Sequence, residues 1–247
     1  MRPHCIAAVA LYGTKTGVLK GLLEAVQEIC SERLREGFLP YTLDQIHSTV
    51  IRLDGRTHTK TGLLVNQHYL QLAGIPRAMD HARAAEILTA YLAPPVSIRI
   101  GGFEPNSPTK FTSRGQRAYE RMFSAQDGSL VLMGWPASTV MNGITQRPLD
   151  DLRRKMNEAN ILHWYHKSWS DVDNDFHLVV GHYDGVSQRN VEEAVDATSM
   201  YLSQHPIQVE VGVNQVAIIA ADWPTLAPAR FIGRLPIDPA DLINLYS

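Results

Sequence analysis

Cysteine is nearly absent: Cys5 and Cys30 are the only two in 247 residues, and they form no Cys-x-x-Cys pair or cluster. That excludes a disulfide framework and a thiolate zinc site, and a reducing compartment is the simplest setting. No apolar run approaches the roughly 18 to 20 residues that span a bilayer. The opening MRPHCIAAVALYG contains an Ala-Val-Ala that mimics a signal-cleavage site, but its apolar stretch is short and carries one arginine ahead of it. It reads as a buried first strand of a soluble, cytoplasmic protein with no membrane partner. An excess of one charge is missing too. The formal balance is −2, so no global field favours nucleic acid or a membrane surface, and any anionic ligand must be met locally. HExxH, the P-loop GxxxxGK[ST], GxGxxG and GxSxG are absent, which removes the simplest support for metalloprotease, nucleotide-hydrolase, dinucleotide and serine-hydrolase chemistry.

What is present alternates between helical and strand periods. GTKTGVLKGLLEAVQEICSERLREG puts Val18, Leu22, Val26, Ile29 and Leu34 on one helical face, with Gly37 as a stop. A strand around His47 follows, then a polar loop and a helix opened by Pro76 that carries Ala85, Leu88 and Leu92 inward. PVSIRIGGF and SLVLMGWP read as strands. The second half repeats the order: a helix opened by Pro148 and running to about Ala159, a strand from Phe176 to Tyr183, a helix capped by Asn190, and two strands in IQVEVGVNQVAIIAAD. The polar, turn-rich ASTVMNGITQR between Trp135 and Pro148 is the best boundary. The expected fold is α+β, one bilobal unit with pseudo-symmetric lobes over 1–140 and 141–247, each a mainly antiparallel sheet backed by helices.

Two strands carry chemistry. In QIHSTVIRL, side chains two apart share a face, so His47, Thr49 and Ile51 make one row. In DFHLVVGHY the matching row is His177, Val179, Gly181 and Tyr183, and His182, at an odd spacing from His177, faces the other side. A single strand histidine is usually structural, but two at equivalent places in a repeated order are a stronger signal. On these residues the chain resembles the two-histidine (2H) phosphoesterases, which include RNA 2′,3′-cyclic phosphodiesterases and 2′-5′ RNA ligase-like proteins. Their signature is two copies of His-x-Thr/Ser followed by an apolar residue, on strands facing a shared cleft. His47-Ser48-Thr49-Val50 matches in full; His177-Leu178-Val179-Val180 matches at the histidine and the apolar position only.

The resemblance implies metal-independent hydrolysis of a cyclic phosphodiester on a nucleotide or RNA end, without a cofactor, by a monomer. One imidazole takes a proton from water and the other gives one to the departing ribose oxygen, a pairing that suits groups with an ordinary pKa near 6.5. The Thr49 hydroxyl would donate to a phosphoryl oxygen, a role Val179 cannot fill. SPTKFTSRGQR offers Lys110 and Arg114 as alternative phosphate contacts, although a solvated loop explains it as simply. Tyr183, about 13 Å along the strand from Val179, and Trp164 in the aromatic HWYH segment are the candidates for stacking a base. His163 and His166 lack a third metal ligand in their segment. The rival reading is a protein on the same scaffold that binds a nucleotide or RNA without turning it over, and Val179 is its main support.

Overall fold

The computed structural model describes residues 5–106, 111–142, 146–221, 230–244 and 246. Among them the strands are β1 (Cys5–Ala10), β2 (Phe38–Pro40), β3 (Ser48–Arg52), β4 (Arg56–Thr57), β5 (Leu64–Val65), β6 (Val96–Ile100), β7 (Thr112–Ser113), β8 (Gln116–Arg117), β9 (Phe123–Gln126), β10 (Ser129–Pro136), β11 (Phe176–Tyr183), β12 (Ile207–Val211), β13 (Val216–Ala221) and β14 (Arg230–Arg234). The helices are α1 (Gly17–Leu34), α2 (Gln67–Ala73), α3 (His81–Leu92), α4 (Ala118–Arg121), α5 (Ala137–Asn142), α6 (Pro148–Lys155), α7 (Gln188–Gln204) and α8 (Pro239–Asn244).

The strands form an α+β architecture of two antiparallel sheets with helices packed on them. One has the order β14-β13-β1-β3; the other runs β12-β6-β10-β11-β2, with β9 also on β10. β1 is buried along its whole length because it is a central strand of small apolar residues, flanked by β3 and β13. Each sheet therefore draws strands from both sides of residue 140, so the expected division into 1–140 and 141–247 does not separate the sheets. Antiparallel pairing of β1 with β13 ties the start of the chain to its later part. Part of the expected turn-rich boundary is helical, as α5.

Local signals explain most element ends. α1 buries Leu19, Leu22, Leu23, Val26, Cys30 and Leu34 at three- and four-residue spacing, while Val18, expected inside, is 65% exposed. α3 starts at an Asp80 cap, whose Oδ1 accepts from Arg83 N at 2.9 Å, and not at Pro76. Ser187, not Asn190, caps α7: its Oγ accepts from Asn190 N at 3.3 Å. α1 packs on α7 and against β11, and the helix-side faces of both sheets merge into one apolar core. Opposite that face of β1 lies a second small cluster of Cys5, Ala7, Val9, Ala217 and Ile219. No helix among the described residues is long and apolar enough to cross a membrane.

Candidate functional site

Each histidine strand carries a β-bulge three residues after its histidine, and these bulges decide which side chains share a face. In β3, Thr49 pairs with Val9 and Ile51 with Ala8, so Val50 is the extra residue. An inserted residue reverses the alternation beyond it. Arg52, opposite Ala7, consequently lies on the Thr49 face, and Ile51 turns into the main core. The row expected as His47, Thr49, Ile51 is corrected to His47, Thr49, Arg52. In β11, Val180 is the extra residue between Val179, opposite Val131, and Gly181, opposite Leu130. His182 thus joins the face of His177 and Val179, contrary to the odd-spacing expectation, and is held between Tyr41 Oη at 2.6 Å and Ser129 Oγ at 3.0 Å. Tyr183 turns toward Phe38 and packs on the core, so it is corrected from a stacking candidate to a packing residue.

Arg153, on α6, joins the two histidine strands. Its guanidinium is 1% exposed; Nε donates to Val50 O at 3.0 Å, and Nη1 donates to Asp173 O at 2.8 Å and Asp175 O at 3.1 Å. Nη2 donates at once to Thr49 O at 3.3 Å and Asp175 O at 3.1 Å. The residue two after His47 and the residue two before His177 therefore share one nitrogen, and β3 packs beside β11. Pro148 starts α6, and Asn174 Oδ1 accepts from the amides of Leu149 and Asp150 at 3.0 and 3.3 Å, which brings the segment 173–175 to the helix that carries Arg153.

Asp173 and Asp175 are buried in front of His177. Asp173 accepts from His163 Nε2 at 2.7 Å, and Asp175 accepts from Trp135 Nε1 at 2.7 Å and Arg121 Nη1 at 2.9 Å. Arg114 reaches both carboxylates at 3.1 Å, so the cation expected to be available for phosphate is engaged by two acids. Lys110 lies outside the described residues. Burial alone would raise Asp173, but the Arg153 cation and the His163 ring hold it well below the usual carboxylate range.

The two rings differ in their surroundings. His47 is 8% exposed; its Nδ1–H donates to Gln45 O at 2.6 Å, since a carbonyl can only accept, and this leaves the Nε2 lone pair of the neutral ring available. Burial lowers its pKa, the Gln45 carbonyl opposes this, and the Lys15 cation lowers it further. His177 stacks on Tyr165 with ring centroids 5.6 Å apart. Burial lowers its pKa too, but Asp173 and Asp175 pull it upward, against Arg153 and Arg114. Thr49 is half-buried on the His47 face, and Val179 is half-buried against the core.

Trp164 and Tyr165 sit side by side in a turn closed by His166 N donating to His163 O at 3.0 Å. Tyr165 meets His177, whereas Trp164, 46% exposed, lies under the Arg52 guanidinium at 4.8 Å and near the Lys167 ammonium at 5.1 Å. Trp164 and Arg52 also wall a cavity of about 560 Å³ with Asp54, Arg56 and Tyr246. Neither histidine lines that cavity, so its size is no guide to the chemistry at the strands. His163 and His166 are bound to different carboxylates, Asp173 and Asp150, and among the described residues no group of three or more His, Cys, Asp or Glu is arranged to hold a metal. The sequence reading missed Lys15, Arg153, Asp173 and Asp175. Only the last two left a signal, in the alternation Asp173-x-Asp175-x-His177.

No protein-family model and no curated protein matches the chain. It is similar to a solved structure, that of TT0787 of Thermus thermophilus, at 12% identity over 93% of this chain and 96% of that chain, with a TM-score of 0.45. A likeness that distant says nothing about what this chain does.

Proposed function

We propose that the protein hydrolyses a cyclic phosphodiester on a nucleotide or RNA end, as its resemblance to the 2H phosphoesterases implies, with His47 as general base and His177 as general acid. The observation that carries the reading is the shared Arg153 nitrogen, which holds the two histidine strands against each other. His47 Nε2 takes a proton from water as the oxygen attacks phosphorus; His177 gives a proton to the ribose oxygen as its bond to phosphorus breaks. The surroundings support that assignment, because a neighbouring cation disfavours a proton on His47 and two carboxylates favour one on His177. Burial keeps both rings below their ordinary pKa, and an arriving phosphate anion raises both, which charges the acid when substrate binds. The Thr49 hydroxyl donates to a phosphoryl oxygen.

One observation favours the binding-only reading: Val179 packs on the core and offers no second hydroxyl. Incubation with a 2′,3′-cyclic nucleotide in excess chelator separates the two. The expected result is a phosphomonoester product, with His47→Ala and His177→Ala each losing on the order of 10²- to 10⁴-fold in rate. Binding without turnover supports the binding protein, and turnover that needs added divalent metal overturns the two-histidine mechanism.

A further inference from the structure

We infer that Lys15, with the N-terminal turn of α1, forms a phosphate-binding corner beside His47 and supplies charge stabilisation that the second histidine strand, with valine at 179, lacks. The inference rests on the reading that a phosphoryl group meets His47, but phosphate binding itself is measurable without turnover.

The segment Gly13-Thr14-Lys15-Thr16-Gly17 leads from β1 into α1, and both glycines have positive φ, 94° and 57°. Lys15 is 6% exposed. Its Nζ donates to Gly13 O at 2.7 Å and reaches Asp44 O at 3.5 Å, and among the described residues no carboxylate lies within ion-pair distance of it. The Asp44 side chain offsets only part of the burial that pushes the ammonium down to about 8. A cation removed from water with only a partial counter-charge is disfavoured, and an anionic ligand would complete it.

The corner is next to the base by construction. Asp44 O accepts from Lys15, and the following carbonyl, Gln45 O, accepts from His47 Nδ1 at 2.6 Å, so ammonium and imidazole hang on consecutive peptide groups. α1 packs against this same turn, and Tyr12, on the loop before Gly13, meets the His47 ring edge-on at 5.9 Å. The 18-residue α1 has Thr16 at its N-cap position, with no side-chain cap hydrogen bond and no acid in its first turn. A Cβ at Gly17 would meet nothing within 4 Å, so the first turn is open beside that residue, at the end of the helix whose dipole favours an anion. A site of this charge prefers dianions. It would stabilise the doubly charged pentavalent phosphorus more than the singly charged cyclic ester, and it would hold the monoester product more tightly than the substrate.

The test measures binding of inorganic phosphate and of a 3′-phosphomonoester by calorimetry, alongside thermal melting. Lys15→Met is expected to weaken both at least tenfold, and Lys20→Ala, which removes an equal charge from the exposed face of α1, to change them less than twofold. Because Lys15→Met loses bonds that hold the loop, Thr16→Asp is the second variant. Its carboxylate at the exposed cap position should occupy the corner, raising the melting temperature while weakening phosphate binding at least tenfold, and Thr16→Asn should leave binding within twofold. A structural lysine would not couple stability and binding with opposite signs. Phosphate affinity unchanged in Lys15→Met and Thr16→Asp, or absent from the wild type at millimolar phosphate, overturns the corner. If the wild type cleaves cyclic esters while these variants keep their affinity and KM, this inference alone fails. Lys15-dependent phosphate binding without any cleavage fails the proposed reaction and leaves the corner standing.

Discussion

Replacing Arg153 by leucine should loosen the two histidine strands more than any other single change. The guanidinium serves four carbonyls, those of Thr49, Val50, Asp173 and Asp175, and lies 3.6 Å from the Asp173 carboxylate. Removing one partner of a buried ion pair costs about 3–5 kcal/mol. Each buried acceptor left unpaired adds about 1–3 kcal/mol. These losses are not additive, because His163 and Arg114 remain on Asp173 and water can enter the gap. A net loss of about 4 kcal/mol is a large share of the roughly 5–15 kcal/mol that holds a domain together. At roughly 2–4 °C per kcal/mol for a chain of this size, the melting temperature should fall by about 10–15 °C. Arg153→Lys keeps the charge but cannot fork to both strands, so it should lose about half as much stability. It should also lower kcat by roughly 10- to 100-fold with little change in KM, since misplaced catalytic groups impair chemistry more than binding. Calorimetric melting and steady-state kinetics read both effects. Arg153→Leu melting within about 3 °C of the wild type, a loss near 1 kcal/mol, would show that the strands do not depend on this clamp.

Two further outcomes follow from other parts of the site. Thr49→Val should lower turnover by roughly 10²-fold or more, as loss of an oxyanion donor does, whereas Val179→Thr should help or do nothing; a silent Thr49→Val beside a damaging Val179→Thr would mean that Thr49 does not touch phosphate. Burial, reinforced by the Arg153 cation and opposed by Asp173, pushes His163 down to about 3 in the folded protein. Its contribution to stability is therefore complete above pH 6.5 and is lost as pH falls from there toward 3, at up to about 1.4 kcal/mol per pH unit for one proton. His47 and His177, also lowered, lose stability in the same direction. Melting at constant ionic strength from pH 8 to 4 should show a plateau and then a decline that His163→Gln makes shallower, and a melting temperature that holds or rises between pH 6.5 and 4 would contradict the buried neutral ring.

The amino-acid sequence alone specified what depends on near neighbours in the chain. The 3.6-residue stripe of α1, the apolar runs of β1 and β10, and the strands at His47 and His177 follow from side-chain periodicity, because burial of one face selects the period. The α+β class followed from their order. Tertiary pairing decided the rest. The bulges at Val50 and Val180 put Arg52 and His182 on the histidine faces and turned Ile51 and Tyr183 away, and nothing local marks them, since each is a valine beside other apolar residues and exists as a bulge only relative to a partner strand. Likewise Lys15 and Arg153 read as ordinary surface cations until folding buries them, and Arg114 reads as a free one until Asp173 and Asp175 come within 3.1 Å. A charge acquires its role from the groups that replace its water, and those groups lie far away in the sequence.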